Sequence, residues 1–327
     1  MADEFEWIKS IAPVKHFNDN VQVGIGDDAA IVANDSNYET IVTVDTMVED
    51  IHFKRTTMLL QAIGHKALTA NLSDIAAMGG VPRYYLVSIA VPKHGWSQQE
   101  ITEIYDGLHA LAEKWHVDLI GGDTVSTSEK LVLTVTVIGT IESGRRLLRA
   151  NAKEGDVVFM TGPVGMAAYG LTELLDKGLK ANEITSISPF ITAHQYPEPQ
   201  IKAGRLLAES KMRIALNDIS DGLAHEAKEI AEASGVNVTI DWDKLPLRKQ
   251  MIKHSLEKQM DWVLYGGEDF QLIGTVSQEN SRKLANMFKT NGLFFHLIGN
   301  VEKGEGRVYI HHNGKKEPTQ KAGYHHF

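Results

Sequence analysis

The chain has 327 residues, 43% of them hydrophobic and 23% charged, with 33 basic and 42 acidic side chains and a formal net charge of -9. That charge argues against general binding to nucleic acid or to an anionic membrane surface. The absence of cysteine excludes disulfides, thiolate nucleophiles and thiolate metal centres. The length predicts two domains. No stretch approaches the ~20 apolar residues of a membrane span. The acidic start, MADEFEWIKS, has no basic region followed by an apolar run, so a cytoplasmic protein is expected.

In chain order, Asp3–Ser10 reads as a short amphipathic helix, and Val21–Gly24 and Ala29–Ala33 read as strands. After a turn at residues 34–37, Thr40–Asp45 (TIVTVD) reads as a buried strand. An alanine-rich helix is expected over Met58–Met78, stopped by Gly79-Gly80 with Pro82 just beyond. Tyr84–Val91 is a strand and Ser97–Trp115 a helix, with Ser97 and Glu100 forming a capping box. Val117–Ile120 reads as a short strand emptying into Gly121-Gly122-Asp123, and Leu131–Ile141 alternates cleanly as a further strand. The polar, basic segment Gly144–Gly155 marks the boundary between an N-terminal domain, 1–145, and a C-terminal domain, 146–327.

The second half predicts a strand at Asp156–Thr161, a helix through Leu175, and two more helices broken at Tyr196-Pro197-Glu198-Pro199. Arg213–Asn217 is a strand, Ser220–Ala233 a helix capped by Ser220 or Asp221, and Val236–Ile240 a strand. A helix near Trp262 precedes strands at Phe270–Val276 and Phe294–Val301 with a helix between them. The fold class is α/β.

Gly24-Ile25-Gly26-Asp27-Asp28-Ala29 imitates a dinucleotide fingerprint, with Asp45 near the ribose position. A dinucleotide site needs a helix directly after the glycines, and AIVANDSN is a short strand and a turn. Neither a phosphate-loop lysine motif nor a serine-nucleophile elbow occurs. What remains is a set of acids at strand ends and in small-residue segments: Asp27, Asp28, Asp45, Glu49 and Asp50 in the first hairpin, Asp74 inside NLSDIAAMG, Asp123 after IGG, Asp218 and Asp221 in DISDGL, and Glu268 in GGED. Alone, each reads as a solvated turn or helix face. So many in one chain predict a shared hard-cation site with oxygen ligands, for which Mg²⁺ is the natural ion.

In this order, GDDAA, VDTMVEDIHF, NLSDIAAMG, IGGDT, DISDGL and GGED, with the tail GYHHF, resemble the thiamine-monophosphate kinases. These belong to the ATP-binding superfamily of aminoimidazole ribonucleotide synthetase. Departures are His325 where the family has an acid or amide, Asn217 where an apolar residue is commoner, and Val44 where a hydroxyl residue is commoner. The resemblance implies two α/β domains, the N-terminal mixed sheet being a half-barrel completed by homodimerisation. It implies several Mg²⁺ ions held by Asp28, Thr43, the Val44 carbonyl, Asp45, Asp74, Asp123, Asp218 and Asp221, with Asp27 as a further contributor. It implies ATP held by Tyr105, Gly122, Asp123, Arg149 and Ser220, and thiamine monophosphate by His52, Glu268 and Tyr324. The expected reaction is direct transfer of the ATP γ-phosphoryl group to the acceptor phosphate, without a protein acid or base. Aminoimidazole ribonucleotide synthesis and cation-dependent nucleotide sensing are the competing expectations.

Overall fold

The computed structural model describes residues 20–23, 26–33 and 37–319. The helix expected at Asp3–Ser10, part of the turn at 34–37, and Tyr324 lie outside them. Two open mixed sheets carry the chain. The first has six strands in the order β1-β2-β3-β6-β4-β5, with β1 Val21–Val23, β2 Ala30–Ala33, β3 Tyr38–Val48, β4 Val81–Pro92, β5 Asp118–Thr127 and β6 Val132–Glu142. The β4 and β5 strands run parallel, joined through helix α2, Gln98–Trp115, and their neighbours are antiparallel. The expected capping box at Ser97 and Glu100 is present.

β3 shows how the period of two places the chemistry. Ile41, Thr43 and Met47 are buried on the inner face, and Asp45 falls in the same alternation. Val44 points the other way and is 59% exposed, so TIVTVD is a half-buried strand and not a buried one. In β6, Leu133, Val135 and Val137 are fully buried, as their alternation predicts. Against this inner face lies helix α1, Leu60–Ala77, buried over most of its circumference. Such a helix belongs in the middle of a molecule. Its other contacts are α2, helix α5 (Ile201–Glu209) and strand β8 (Ile214–Asp218).

The second sheet has seven strands in the order β13-β12-β9-β11-β7-β10-β8. They are β7 Asp156–Met160, β8, β9 Val236–Asp241, β10 Leu272–Ser277, β11 His296–Lys303, β12 Val308–His312 and β13 Lys315–Pro318. The sequence reading did not anticipate the last two. β8 divides its side chains between two cores: Ile214 and Leu216 join the cluster around α1, and Ala215 joins the cluster on the far side of the sheet. The same alternation brings Asp218, at the end of β8, to the α1 side, where it meets Ser73. The far side is covered by α3 (Met166–Lys177), α4 (Ser188–Gln195), α6 (Leu223–Ser234) and α7 (Leu256–Leu264). A last helix, α8 (Gln278–Thr290), lies with α5 on the first side.

The position of β8 depends on a buried ion pair. Asp156, 2% exposed, accepts from Arg213 at 2.6 and 2.7 Å, from the Lys153 N–H at 2.9 Å and from Thr275 Oγ1 at 3.3 Å. Arg213 immediately precedes β8. Replacing Asp156 leaves Arg213, a third exposed, without its partner and the buried Thr275 hydroxyl without this acceptor. Asp156→Ala is expected to lower the unfolding free energy by about 2 kcal/mol in urea titrations. A loss below about 1 kcal/mol would show that the pair does not hold the strand.

Candidate functional site

Four elements deliver carboxylates to one place: the turn after β1, the inner face of β3, the last turns of α1 and the end of β8. Ligand oxygens of Asp28, Asp74 and Asp218 lie within 4.8 Å of one another. Thr43 donates its hydroxyl to Asp74, and Ser73 donates to Asp218 at 2.6 Å. The Asp28 carboxylate is 1% exposed, and its Oδ2 has no hydrogen-bond partner among the described residues. A buried, unpartnered carboxylate oxygen beside two other carboxylates fits a bound hard cation.

Burial governs the electrostatics. It pushes Asp218 up to about 8, with the Asp28 charge adding to the rise. It pushes Asp27 up to about 7, again with help from Asp28. Asp45 rises to about 6 through burial, restrained by a hydrogen bond to Asp74. Asp74 stands well above the ordinary carboxylate range through burial and then the charges of Asp45, Asp218 and Asp28. Asp28 is raised too, by burial, against the pull of Arg149.

Arg149 is the cation nearest to this crowd. Its guanidinium donates to Asp28 at 2.5 Å, to Asn217 at 3.1 Å and to Glu229 at 3.1 Å, and its backbone N–H donates to Asp27 at 3.2 Å. Burial works against its charge, but Asp28, Glu226 and Asp27 more than compensate and hold it above the usual arginine value. Arg145 and Arg146 are engaged elsewhere, with Glu142 and Glu39.

The DISDGL turn is organised by Glu226, which the sequence reading passed over. This buried side chain accepts from Asn217 Nδ2 at 2.6 Å, from the Asp221 N–H at 3.0 Å and from Ser220 Oγ at 3.2 Å. Helix α6 starts at Gly222 without a side-chain cap, so neither Ser220 nor Asp221 caps it. Asp221 instead groups with His225 and Glu226 as a second possible ligand set. The only signal for Glu226 was its place as an acid in the first turn of a helix.

Tyr105, Gly122 and Asp123 share a groove of about 320 Å³ with Val87, Leu119, Gly121 and Thr124. This groove lies elsewhere. β5 does not end at Ile120 but continues through Gly122 and Asp123 to Thr127, exposed along nearly its whole length. A Cβ on Gly122 would sit 1.9 Å from the Val87 carbonyl oxygen, so only glycine lets the two strands approach there. Asp123 pairs with Ser88, which pairs with Thr134, which pairs with Thr46. Three strand spacings, about 14 Å, therefore separate Asp123 from the β3 residues beside Asp45. A single chain does not bring Asp123 to the other carboxylates.

Of the residues that the resemblance assigns to the acceptor, half-buried His52 receives the Val48 N–H on Nδ1 at 3.0 Å. Glu268 pairs with buried Lys66 at 2.7 Å. The two acids without an assigned role are structural: Glu49 accepts from Trp96 Nε1 and the Leu131 N–H, both at 3.1 Å, and Asp50 pairs with Lys130.

This architecture defines an AIR synthase related protein: the N-terminal domain model of that family matches residues 26–141 and the C-terminal domain model residues 153–311. Within that class the chain belongs to the thiamine-monophosphate kinase family. It is 48% identical over 327 residues to the thiamine-monophosphate kinase of Bacillus subtilis (strain 168), covering 99% of both chains. Among solved structures it is similar to the thiamine-monophosphate kinase from Stenotrophomonas maltophilia K279a, at 31% identity and TM-score 0.77 over 91% of this chain and 93% of that one. It is also similar to AaThiL complexed with AMPPCP and TMP, at 31% identity and TM-score 0.79 over 93% of this chain and 92% of that one.

The raised carboxylates have a consequence for stability. An acid whose folded pKa exceeds its unfolded value destabilises the fold progressively as pH rises between the two. For Asp218 this window runs from the ordinary value of 3.8 to about 8. Asp218→Asn is therefore expected to stabilise the cation-free protein by about 1 kcal/mol or more at pH 8 and by less at pH 5. Thermal unfolding in chelator checks this, and the same substitution should reduce the stabilisation that Mg²⁺ gives. A variant less stable than the parent at pH 8 would contradict the placement of Asp218.

Proposed function

We propose that this chain transfers the γ-phosphoryl group of ATP directly to thiamine monophosphate, giving thiamine diphosphate and ADP. The observation that carries this reading is the meeting of Asp28, Asp74 and Asp218 oxygens within 4.8 Å in a chain of this family. A phosphate monoester with a second pKa of about 6 is already a nucleophile near neutral pH. No side chain has to remove a proton or carry a phosphoryl group. One acceptor oxygen forms the new bond to the γ-phosphorus as the bond to the ADP oxygen breaks.

The difficulty is to bring two polyanions beside a set of carboxylates. Asp28, Asp45, Asp74, Asp218 and Asp221, with Thr43 and the Val44 carbonyl, would hold Mg²⁺, which when bound supplies neutralisation of the phosphates and of the charge developing in transfer. Arg149 is placed to exchange its contact with Asp28 for an ATP phosphate, and Ser220 lies in the adjoining turn. Glu226 fixes that turn. His52 and Glu268 stand at the acceptor end, to which the resemblance also assigns Tyr324.

Asp123, Gly122 and Tyr105 complete the nucleotide site if a second copy supplies them, and the homodimer is part of this proposal. β5 is an edge strand with Leu119, Ile120 and Val125 at 38, 55 and 52% exposure, and Val44 lies exposed on the same sheet. Unpaired edges with exposed apolar side chains call for a partner. We place the domain division near residue 145 and the protein in the cytoplasm. No helix among the described residues is long and apolar enough to cross a membrane.

Coupled measurement of thiamine diphosphate and ADP tests the reaction, and the reading fails if thiamine monophosphate elicits no product. Asp74→Asn and Asp123→Ala are each expected to lower kcat by about 100-fold or more. Mixed and reassembled in equal amounts, the two variants should recover about a quarter of the parental activity, since a heterodimer regains one intact site. No recovery would place Asp123 outside a shared site.

A further inference from the structure

Lys66 has no place in the reaction as described, yet it is among the largest fully buried side chains and is 1% exposed. It projects from the middle of α1 toward the second half of the chain. Its ammonium donates to Glu268 Oε2 at 2.7 Å and approaches His194 Nδ1 at 3.4 Å. Burial, then Lys66, push His194 down to about 3, so His194 stands neutral beside the ammonium. Burying an ammonium is expensive unless the interior supplies such partners, and an apolar side chain would fill the same space without that demand.

The pair is asymmetric. Lys66 is sealed, whereas the Glu268 side chain keeps 30% exposure. Both described contacts fall on Oε2. The Glu268 backbone is equally constrained. Its φ of 66° is a left-handed value that a glutamate rarely takes. Its N–H donates to the Ser220 carbonyl at 2.7 Å, and the Phe270 N–H donates to Ile219 at 2.9 Å. A Cβ on Gly267 would meet Ser220 O at 2.1 Å, which fixes how closely the two turns pack. Strain held in place from both backbone and side chain marks a group whose direction matters.

We propose that Lys66 is a positioning residue for Glu268: it anchors the carboxylate at the acceptor end of the site and cancels its charge. Glu268 then meets the acceptor as an oriented hydrogen-bond acceptor through the oxygen that Lys66 leaves open, and not as a free counter-ion for the thiazolium ring. This inference rests on the proposed kinase reaction and on Glu268 contacting the acceptor.

The test compares the parent with Lys66→Met, Glu268→Gln and the double variant, measuring KM for thiamine monophosphate, KM for ATP, kcat and thermal unfolding. Lys66→Met should raise KM for thiamine monophosphate about tenfold or more, while KM for ATP stays within about twofold. In the Glu268→Gln background, Lys66→Met should add less than about threefold, because it acts through Glu268. Unchanged KM for thiamine monophosphate in Lys66→Met, or equal increases for both substrates, overturns the proposal and leaves the kinase reading intact. If Lys66→Met does not fold, the neutralised double variant and Glu268→Gln decide: a normal KM for thiamine monophosphate in both overturns it. Absence of turnover by the parent protein overturns both readings.

Discussion

Repulsion among carboxylates that the fold itself forces together is the constraint on which this structure turns. Asp28, Asp74 and Asp218 converge from three separate elements, with Asp45 alongside, and burial leaves them little solvent to share the charge. At an effective dielectric near 20, two such charges at about 4 Å repel by about 4 kcal/mol. Burial first, and then this repulsion, raise the carboxyls of Asp74 and Asp218 above the ordinary range, and burial raises that of Asp28. Arg149 relieves part of the repulsion by resting on Asp28. It leaves Asp28 Oδ2 without a hydrogen-bond partner among the described residues. The protein is electrostatically complete only when further positive charge arrives.

The scaffold that imposes this is α1. Its buried surface packs against the first sheet on one side and β8 on another, so Asp74 and Ser73 stand where β3 and β8 face each other. The same helix sends Lys66 to the GGED turn, which is in turn bonded to the Ser220–Asp221 turn. One helix thus sets the spacing between the carboxylates and the GGED turn. Asp45, Asp74 and Asp218 stand on two strands and a helix, while Asp28, Ser220 and Glu268 stand in turns packed against them.

The elements with a strong period were legible in the sequence. Leu131–Ile141, the α1 segment and the capping box at Ser97 and Glu100 stand where the pattern put them. Asp28, Asp74 and Asp218 were legible only together, as members of a set of acids too numerous to be separate solvated turns. The setting of Asp123 was not: the glycines before it looked like the end of a strand, whereas β5 runs on as an exposed edge. Glycine serves there to admit the Val87 carbonyl, a requirement of the neighbouring strand that no local pattern reveals.

Ser73 and Lys66 were missed for a shared reason. On a helix, one charged or hydroxyl residue looks like part of a solvated face, and only the partner across the molecule shows otherwise. Lys66 meets Glu268 across 202 positions of sequence, and Ser73 meets Asp218 across 145. The strand β13 escaped because a polar edge strand carries no apolar alternation to find, and β12 because its alternation is only two buried residues long, Val308 and Ile310.

The claim that this site awaits positive charge is tested most directly by calorimetry of Mg²⁺ binding to the nucleotide-free protein at pH 7, in buffers of differing ionisation enthalpy. Cations entering a set of partly protonated carboxylates must displace protons. The account predicts net proton release at pH 7 that diminishes toward pH 9. Mg²⁺ binding with no proton exchanged at pH 7 would contradict it.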